Sequence, residues 1–178
     1  MLKQVPNMLT LGRLCLVPLT VWLILSAQWP WAFAMFALAG ISDGLDGFIA
    51  KHYDMKTELG AWLDPLADKA LLVCLFISLS AVALLPLWLT ILVVSRDLMI
   101  VSGVVLAMLM ARGMEIRPLL VSKANTAAQI VLVGFVLAAK AGGVVMPNLR
   151  DLLIGLVTAL TLASLLAYLR PWLRHMSH

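Results

Sequence analysis

Residues 42–72 read SDGLDGFIAKHYDMKTELGAWLDPLADKALL and carry four aspartates, Asp43, Asp46, Asp64 and Asp68. The sequence on either side is nearly all Ala, Leu, Ile, Val, Phe and Trp. Ionisable side chains inside a membrane segment are costly and usually mark a functional site. This stretch therefore predicts two apolar helices joined by a short polar loop, with a chemical site built on them.

The composition of the whole chain indicates an integral membrane protein. Of its 178 residues, 63% are hydrophobic and only 12% are charged, and the mean hydropathy is +1.03. Soluble domains are usually nearer half apolar and a quarter charged. The chain has no room for a second large domain, so we expect one membrane domain over residues 1–178.

Six apolar segments are long enough to cross a bilayer, which requires roughly 20 residues each. They are 7–27, 31–52, 59–81, 85–112, 119–140 and 150–170. The first segment contains Arg13 and Pro18 and lacks a small-residue cleavage site, so we expect it to remain in the mature protein. The predicted fold is an all-α bundle of six transmembrane helices.

The basic residues indicate which way the bundle faces. With a cytoplasmic N-terminus, the inner face collects most of them, and the outer face receives only Lys140 and Arg150. The inner set is Lys3, Arg13, Lys51, Lys56, Arg112, Arg117, Lys123, Arg170 and Arg174. Cytoplasmic loops are enriched in Lys and Arg, so both termini are predicted to be cytoplasmic. The same face should attract anionic lipid headgroups. Because these charges are spread over loop ends, we expect no nucleic-acid partner.

The spacing of the aspartates predicts a metal site. Asp43 and Asp46 are three residues apart and Asp64 and Asp68 four apart, so each pair lies on one face of its helix. Antiparallel neighbouring helices would bring the two pairs together. Four carboxylates repel one another unless cations compensate them, and hard oxygen ligands suit Mg²⁺, Mn²⁺ or Ca²⁺. Two metal ions held in this way can clamp the oxygens of a phosphoryl displacement.

Two other interpretations of the aspartates remain open. Each acid could simply be solvated or paired at the membrane interface, or the four could line the pathway of a small divalent cation transporter. Against transport, all four lie toward one side and the outer halves of the helices lack matching polar residues. A non-catalytic scaffold would leave the acids uncompensated.

The motif Asp43-x-x-Asp46-Gly47-x-x-Ala50 followed by Gly60-x-x-x-Asp64-x-x-x-Asp68 resembles the signature of the CDP-alcohol phosphatidyltransferases, six-helix membrane enzymes. Seven fixed positions match with the correct spacing. One position differs, because the family usually has Arg where this chain has Lys51, which keeps the charge but lacks the planar fork.

The resemblance implies roles for these residues. Asp43, Asp46, Asp64 and Asp68 would bind two ions of Mg²⁺ or Mn²⁺, and Asp68 would also be the general base. The nucleotide of CDP-diacylglycerol would lie against Asp43, Gly47, Ala50 and Gly60. Asp68 would take a proton from an acceptor alcohol, which attacks the β-phosphorus and releases CMP. The family also implies a homodimer.

Three further stretches bear on the acceptor. VPNMLTLGRL (5–14) is similar to both cardiolipin synthases and phosphatidylglycerophosphate synthases, whereas SRDLMI (95–100) and SKANTAAQI (122–130) are closer to the cardiolipin synthases. We therefore expect phosphatidylglycerol as the acceptor, giving cardiolipin, with glycerol 3-phosphate as the alternative. The residues expected to bind lipid or acceptor are Arg13, Lys51, Arg96, Lys123, Asn125, Thr126 and Gln129.

Two of these assignments carry their own structural expectations. Arg96 stands next to Asp97, so a buried ion pair competes with acceptor binding as its role. Lys123, Asn125 and Gln129 are expected on one face of the fifth helix, where interhelical hydrogen bonding competes with substrate contact. The expected location is a bacterial inner membrane, with the site facing the cytoplasm.

Overall fold

A computed structural model describes the backbone of residues 5–53, 58–109 and 120–176, and the side chains of residues 15–42, 69–102 and 120–167. Within these ranges the regular structure is entirely helical, and no strand occurs. The helices, in chain order, are α1 Val5–Leu25, α2 Trp29–Tyr53, α3 Glu58–Ala81, α4 Leu87–Leu109, α5 Leu120–Ala141 and α6 Pro147–Met176. The predicted all-α class and the six-helix count are confirmed.

Proline marks the beginning of three of the helices. Pro30 is the second residue of α2, Pro86 directly precedes α4, and Pro147 is the first residue of α6. Proline is tolerated in the first helical turn because the backbone N–H it lacks would have no intrahelical acceptor there. The same residue types that interrupt the apolar sequence therefore set where each of these helices starts.

The turns before these three helices share one construction. Each contains a residue in the left-handed region: Ala27 with φ 55°, Ala83 with φ 57° and Gly143 with φ 64°. The next residue donates its backbone N–H to a carbonyl five positions earlier, from Gln28 to Leu23, Leu84 to Leu79, and Val144 to Ala139, each at 2.9 Å. This is the Schellman-type ending that satisfies the last carbonyls of a helix.

The structure divides into two compact units, of which the first comprises Met1–Leu85 and Val133–Val145. Within it α1 packs against both α2 and α3. Its buried core includes Ile24, Ala32, Leu75 and Phe76, all fully buried. Gly134 of α5 lies against the ring of Phe36, and a Cβ at this position would come within 3.2 Å of it. Small residues of this kind let membrane helices approach closely.

The second unit comprises Pro86–Leu132 and Met146–His178. Here α4 packs against α6, with Leu89, Val93 and Val157 fully buried. Unlike the core of the first unit, this one also encloses several strongly polar side chains. Among the side chains described in this unit, the fully buried polar ones are Arg96, Asn125, Gln129, Thr161 and Ser164.

The outward-facing side chains are largely apolar. Trp31, Leu87, Leu120, Val145 and Leu152 are each more than 60% exposed, which in water would form unusually large apolar patches. In the part of the chain that the structure describes, two helical stretches are long and apolar enough to cross a membrane by length and composition, Leu120–Ala141 and Pro147–Ala167. Shorter apolar stretches occur at Cys15–Leu25, Trp29–Ser42 and Lys69–Ala81. A membrane environment fits these surfaces, whereas six complete spans and the position of the termini stay predictions.

The sixth helix is longer than its apolar pattern predicts. The apolar segment was placed at 150–170, but the helical backbone begins at Pro147 and continues to Met176. The added residues include Arg174 and Trp172, which are compatible with a helix. Pro171 lacks the N–H for one intrahelical hydrogen bond, but the helical backbone continues past it to Met176. Polar residues therefore end the apolar segment near residue 170, whereas the helix itself continues to Met176.

Candidate active site

The four aspartates lie on continuous helices. Asp43 and Asp46 fall within α2, and Asp64 and Asp68 within α3. Their separations of three and four residues therefore correspond to adjacent positions on one helical face in each case. Both helices pack against α1 in the first unit. The convergence of the four carboxylates stays a prediction, because their side chains lie outside the described part of the structure.

The side chains of the other residues predicted for this region also lie outside the described part of the structure. Gly47 and Ala50 belong to the helical backbone of α2, as does Lys51, and Gly60 belongs to α3. Arg13 lies in α1. Nothing is described of their surroundings. Among the side chains that are described, no group of three or more His, Cys, Asp or Glu residues could bind a metal ion.

Arg96 lies at the centre of a buried polar cluster in the second unit. Its Nη1 donates to Asp97 Oδ1 at 2.7 Å, and the side chains of this ion pair are only 1% and 4% exposed. Nη2 donates to Ser122 Oγ at 2.6 Å and to Ser164 Oγ at 2.7 Å, and Nε donates to Ser164 Oγ at 3.1 Å. We call these four residues the Arg96 cluster.

The Arg96 cluster joins three helices, because Ser122 is on α5 and Ser164 on α6. Of the two roles expected for Arg96, the geometry fits the buried ion pair, since a neighbouring carboxylate and two hydroxyls already accept from the guanidinium. A fully buried arginine with its charge compensated can hold helices together without contacting an acceptor.

A second polar group lies further along α5. The Thr161 hydroxyl lies 3.0 Å from Asn125 Oδ1 and 2.7 Å from the Val157 carbonyl oxygen, and either oxygen can accept its single proton. Asn125 and Gln129 are both fully buried. Asn125 Nδ2 and both polar atoms of the Gln129 side chain have no hydrogen-bond partner among the described residues.

Lys123 does not share a face with these amides. It is exposed, whereas Asn125 and Gln129 are fully buried, so the prediction of one common face is wrong for Lys123. Residues two apart on a helix point to different sides. The buried face of α5 instead carries Ser122, Asn125 and Gln129, and Thr126 is half-buried, with its hydroxyl donating to the Ser122 carbonyl at 3.2 Å.

Three residues of these contacts were not singled out in the sequence: Ser122, Thr161 and Ser164. A signal was present, since Thr161 and Ser164 are three residues apart in an otherwise apolar stretch of α6, residues 159–167. Small polar residues on one face of such a helix often bond to a neighbouring helix. A stripe of two hydroxyls could not, however, indicate which helix it faces.

Comparison with known proteins bears on the identity of the chain. The sequence profile of the CDP-alcohol phosphatidyltransferase family matches residues 3–172. The cardiolipin synthase (CMP-forming) of Rattus norvegicus is 38% identical over 151 residues, covering 76% of this chain and 50% of the relative. The chloroplastic CDP-diacylglycerol–glycerol-3-phosphate 3-phosphatidyltransferase 1 of Oryza sativa subsp. japonica is 34% identical over 183 residues, covering 93% of this chain and 56% of the relative.

A bacterial relative is similar over a shorter range. The cardiolipin synthase (CMP-forming) of Streptomyces coelicolor is 38% identical over 102 residues, covering 54% of this chain and 47% of the relative. The chain thus spans about half the length of the curated relatives that it matches. The family profile extends over nearly all of the chain and includes the aspartate motif at 43–68. The chain belongs to the CDP-alcohol phosphatidyltransferase family.

Proposed function

We propose that this protein transfers a phosphatidyl group from CDP-diacylglycerol to phosphatidylglycerol, giving cardiolipin and CMP. The observation that carries the proposal is the aspartate motif on α2 and α3, within a chain that matches the family profile from residue 3 to 172. The similarity to cardiolipin synthases of Rattus norvegicus and Streptomyces coelicolor supports the choice of acceptor.

The donor set of the proposed site fits hard divalent cations. Four carboxylates supply oxygen ligands, which suit Mg²⁺ or Mn²⁺, and their mutual repulsion is relieved only by positive charge. Asp43, Asp46, Asp64 and Asp68 would hold two such ions. When bound, the ions supply the charge that compensates the pyrophosphate of the donor lipid.

The protein's own residues perform the remaining steps. Gly47, Ala50 and Gly60 have little or no side chain, so the nucleotide can approach the helix backbone at these positions. The Asp68 carboxylate accepts the proton of the acceptor hydroxyl. The oxygen of that hydroxyl then forms a bond to the β-phosphorus, and the bond between this phosphorus and CMP breaks.

The charges of the second unit favour a lipid acceptor over a small dianion. Arg96 is paired with Asp97, which leaves Lys123 as the exposed cation on the first turn of α5 in the part of the chain that is described. Glycerol 3-phosphate carries a dianionic phosphate that requires strong cationic contacts. Phosphatidylglycerol carries a single negative charge and a large apolar body, which the exposed apolar surfaces of the helices can accommodate.

The alternative acceptor has its own support. The Oryza sativa relative, named as a glycerol-3-phosphate 3-phosphatidyltransferase, covers 93% of this chain. The second candidate function is therefore phosphatidylglycerophosphate synthesis. In both cases the site faces the cytoplasm in our proposal. The relatives come from an animal, a plant and a bacterium, so they do not select the bacterial inner membrane among possible membranes.

One assay separates the candidates. Purified protein in lipid is supplied with radiolabelled CDP-diacylglycerol and, in parallel, with phosphatidylglycerol, glycerol 3-phosphate or inositol phosphate. We expect CMP release and labelled cardiolipin only with phosphatidylglycerol. Labelled phosphatidylglycerophosphate would establish the alternative. Divalent cation flux into protein-containing vesicles without CMP release would instead indicate a transporter. A homodimer, expected from the family, is measured by the mass of the protein in detergent.

A further inference from the structure

The second unit contains two buried amide side chains whose hydrogen bonds are incomplete. Gln129 and Asn125 are both fully buried, with 0% of their surface accessible. Neither Gln129 Oε1 nor Nε2 has a partner among the described residues, and Asn125 Nδ2 has none either. A buried polar atom without a partner is destabilising, so native structures nearly always satisfy it.

The orientation of the Asn125 amide does not remove the deficit. The Thr161 hydroxyl has a single proton, and the Val157 carbonyl at 2.7 Å is a closer acceptor than Asn125 Oδ1 at 3.0 Å. If that proton goes to Val157, Asn125 can turn and donate Nδ2 to the hydroxyl, which leaves Oδ1 open instead. In either orientation one end of Asn125 and both ends of Gln129 require another partner.

The two amides are close enough to act on one group. They are four residues apart on α5, so they lie on one face of the helix with about 5–6 Å between their Cβ atoms. Both amides are neutral, and an ion placed between them would lack a counter-charge. An apolar group would leave the same donors and acceptors open. A hydroxyl offers one donor and two acceptor lone pairs, which matches an amide oxygen and two N–H donors.

We propose that Asn125 and Gln129 form a buried binding site for a neutral hydroxyl group. Two sources have this chemistry, a water molecule and the hydroxyl of an alcohol acceptor. Water needs two to four polar partners in a buried site, and Gln129, Asn125 and Thr161 together provide that number. The water source is independent of the proposed reaction, whereas the acceptor source rests on it.

The first part of the test is direct observation. The full chain is crystallised from a lipidic phase at a resolution that shows ordered waters, once without substrate and once with phosphatidylglycerol. We expect density at hydrogen-bond distance, about 2.7–3.2 Å, from the Gln129 amide and from Asn125. Density without substrate identifies water. Density only in the second crystal, continuous with a lipid headgroup, identifies the acceptor hydroxyl.

The second part uses Gln129→Met, which keeps a long unbranched side chain and removes both polar atoms. If water is the occupant, the variant should show an unchanged or lower Tm in the same detergent, with unchanged KM for either lipid. If the acceptor hydroxyl is the occupant, KM for phosphatidylglycerol should rise about tenfold, as expected for one or two lost hydrogen bonds, while KM for CDP-diacylglycerol stays the same. Either result supports the site.

A matched control is Thr20→Val in the first unit. The Thr20 hydroxyl is fully buried but already donates to the Leu16 carbonyl at 2.7 Å, so its Tm change reports the general effect of removing a buried polar group. The proposal is overturned if neither crystal shows density at the amides; Gln129→Met should then raise Tm above the wild-type value without a kinetic change, because it removes an unsatisfied buried amide. If wild-type protein releases no CMP with any acceptor, the proposed reaction fails, but the crystals and the Tm comparison still decide the site.

Discussion

At the scale of single residues, the environment of a charge decides its role, as two arginine–aspartate pairs show. Both pairs join neighbours in the sequence, Arg96 with Asp97 and Arg150 with Asp151. The first is 1% and 4% exposed, and the second 42% and 64%. Solvent screens the exposed pair, whereas the buried arginine must be compensated by Asp97 and by the hydroxyls around it.

This difference predicts unequal costs for the same substitution. Arg96→Met should lower stability by about 3–5 kcal/mol, because it removes the guanidinium that pairs with the buried Asp97 carboxylate. Arg150→Met should change stability by less than about 1 kcal/mol. Both are measured as unfolding free energies in one detergent. Equal, small losses for the two variants would show that the Arg96 cluster does not stabilise the second unit.

A second prediction at this scale concerns Asp68. Asp68→Asn keeps the shape of the side chain and removes its ability to accept a proton, so turnover should be abolished while CDP-diacylglycerol binding is largely retained. Binding is measured with labelled donor lipid and turnover by CMP release. Asp151→Asn, in an exposed position on α6, is the control and should be fully active. Normal turnover of Asp68→Asn would exclude Asp68 as the base.

The four aspartates together predict a strict metal requirement. Excess chelator should abolish CMP release, and Mg²⁺ or Mn²⁺ should restore it, because four uncompensated carboxylates repel the pyrophosphate of the donor. The affinity for the donor lipid should fall in parallel. Full CMP release in the presence of chelator would contradict the proposed two-metal site.

At the scale of helices and turns, three connections use the same ending with different residues. Gly143 adopts its positive φ without a Cβ, but Ala27 and Ala83 adopt similar angles with one. Left-handed backbone costs an L-residue roughly 1–2 kcal/mol. The two alanines are exposed, so burial of their methyl groups offsets little of this cost.

Glycine should therefore stabilise these turns. Ala83→Gly is expected to raise stability by up to about 1 kcal/mol, the relief of strain less the entropy that glycine adds to the unfolded chain. Ala34→Gly, at an exposed position inside α2, should lower stability by about 0.5–1 kcal/mol. Thermal unfolding of the two variants tests whether stability rises in Ala83→Gly and falls in Ala34→Gly. A loss at Ala83 as large as that at Ala34 would mean that the turn is not strained.

The positions of the helices were more predictable from the sequence than the side-chain contacts between them. Apolar length and the positions of Pro30, Pro86 and Pro147 determine six helices with ends within a few residues of those observed, apart from the extension of α6. The partners of Arg96 were not predictable, because helix periodicity places Ser122 and Ser164 on faces but does not tell which faces meet. The face of Lys123 was misassigned because charge and depth were considered without the helical angle. The aspartate motif was identifiable because its residues and spacing resemble the signature of the family to which the chain belongs.

At the scale of the whole molecule, the length of α5 and the positions of its lysines fit a helix that crosses a membrane. α5 has 22 residues and includes one of the two stretches that are apolar and long enough to cross a bilayer. At 1.5 Å per residue it extends about 33 Å, close to the thickness of the hydrocarbon core. Lys123 lies near its first turn and Lys140 near its last, and Lys140 stands 5.9 Å above the ring of Trp29. Aromatic residues with a basic neighbour are typical of the membrane–water interface.

The excess of basic residues predicts that the start of α5 is cytoplasmic and its end is outside. Leu120 is the first residue of α5, and Val145 lies in the turn that follows its last residue. Both are suitable reporters, because they are 82% and 87% exposed. In a background in which Cys15 and Cys74 are replaced, Val145→Cys should react with a membrane-impermeant maleimide on intact cells. Leu120→Cys should react only after the membrane is opened. The reverse pattern would invert the topology and place the aspartates on the outside, away from a cytoplasmic nucleotide donor. Labelling of both on intact cells would show that α5 does not cross the membrane, and the six-span bundle would then be wrong.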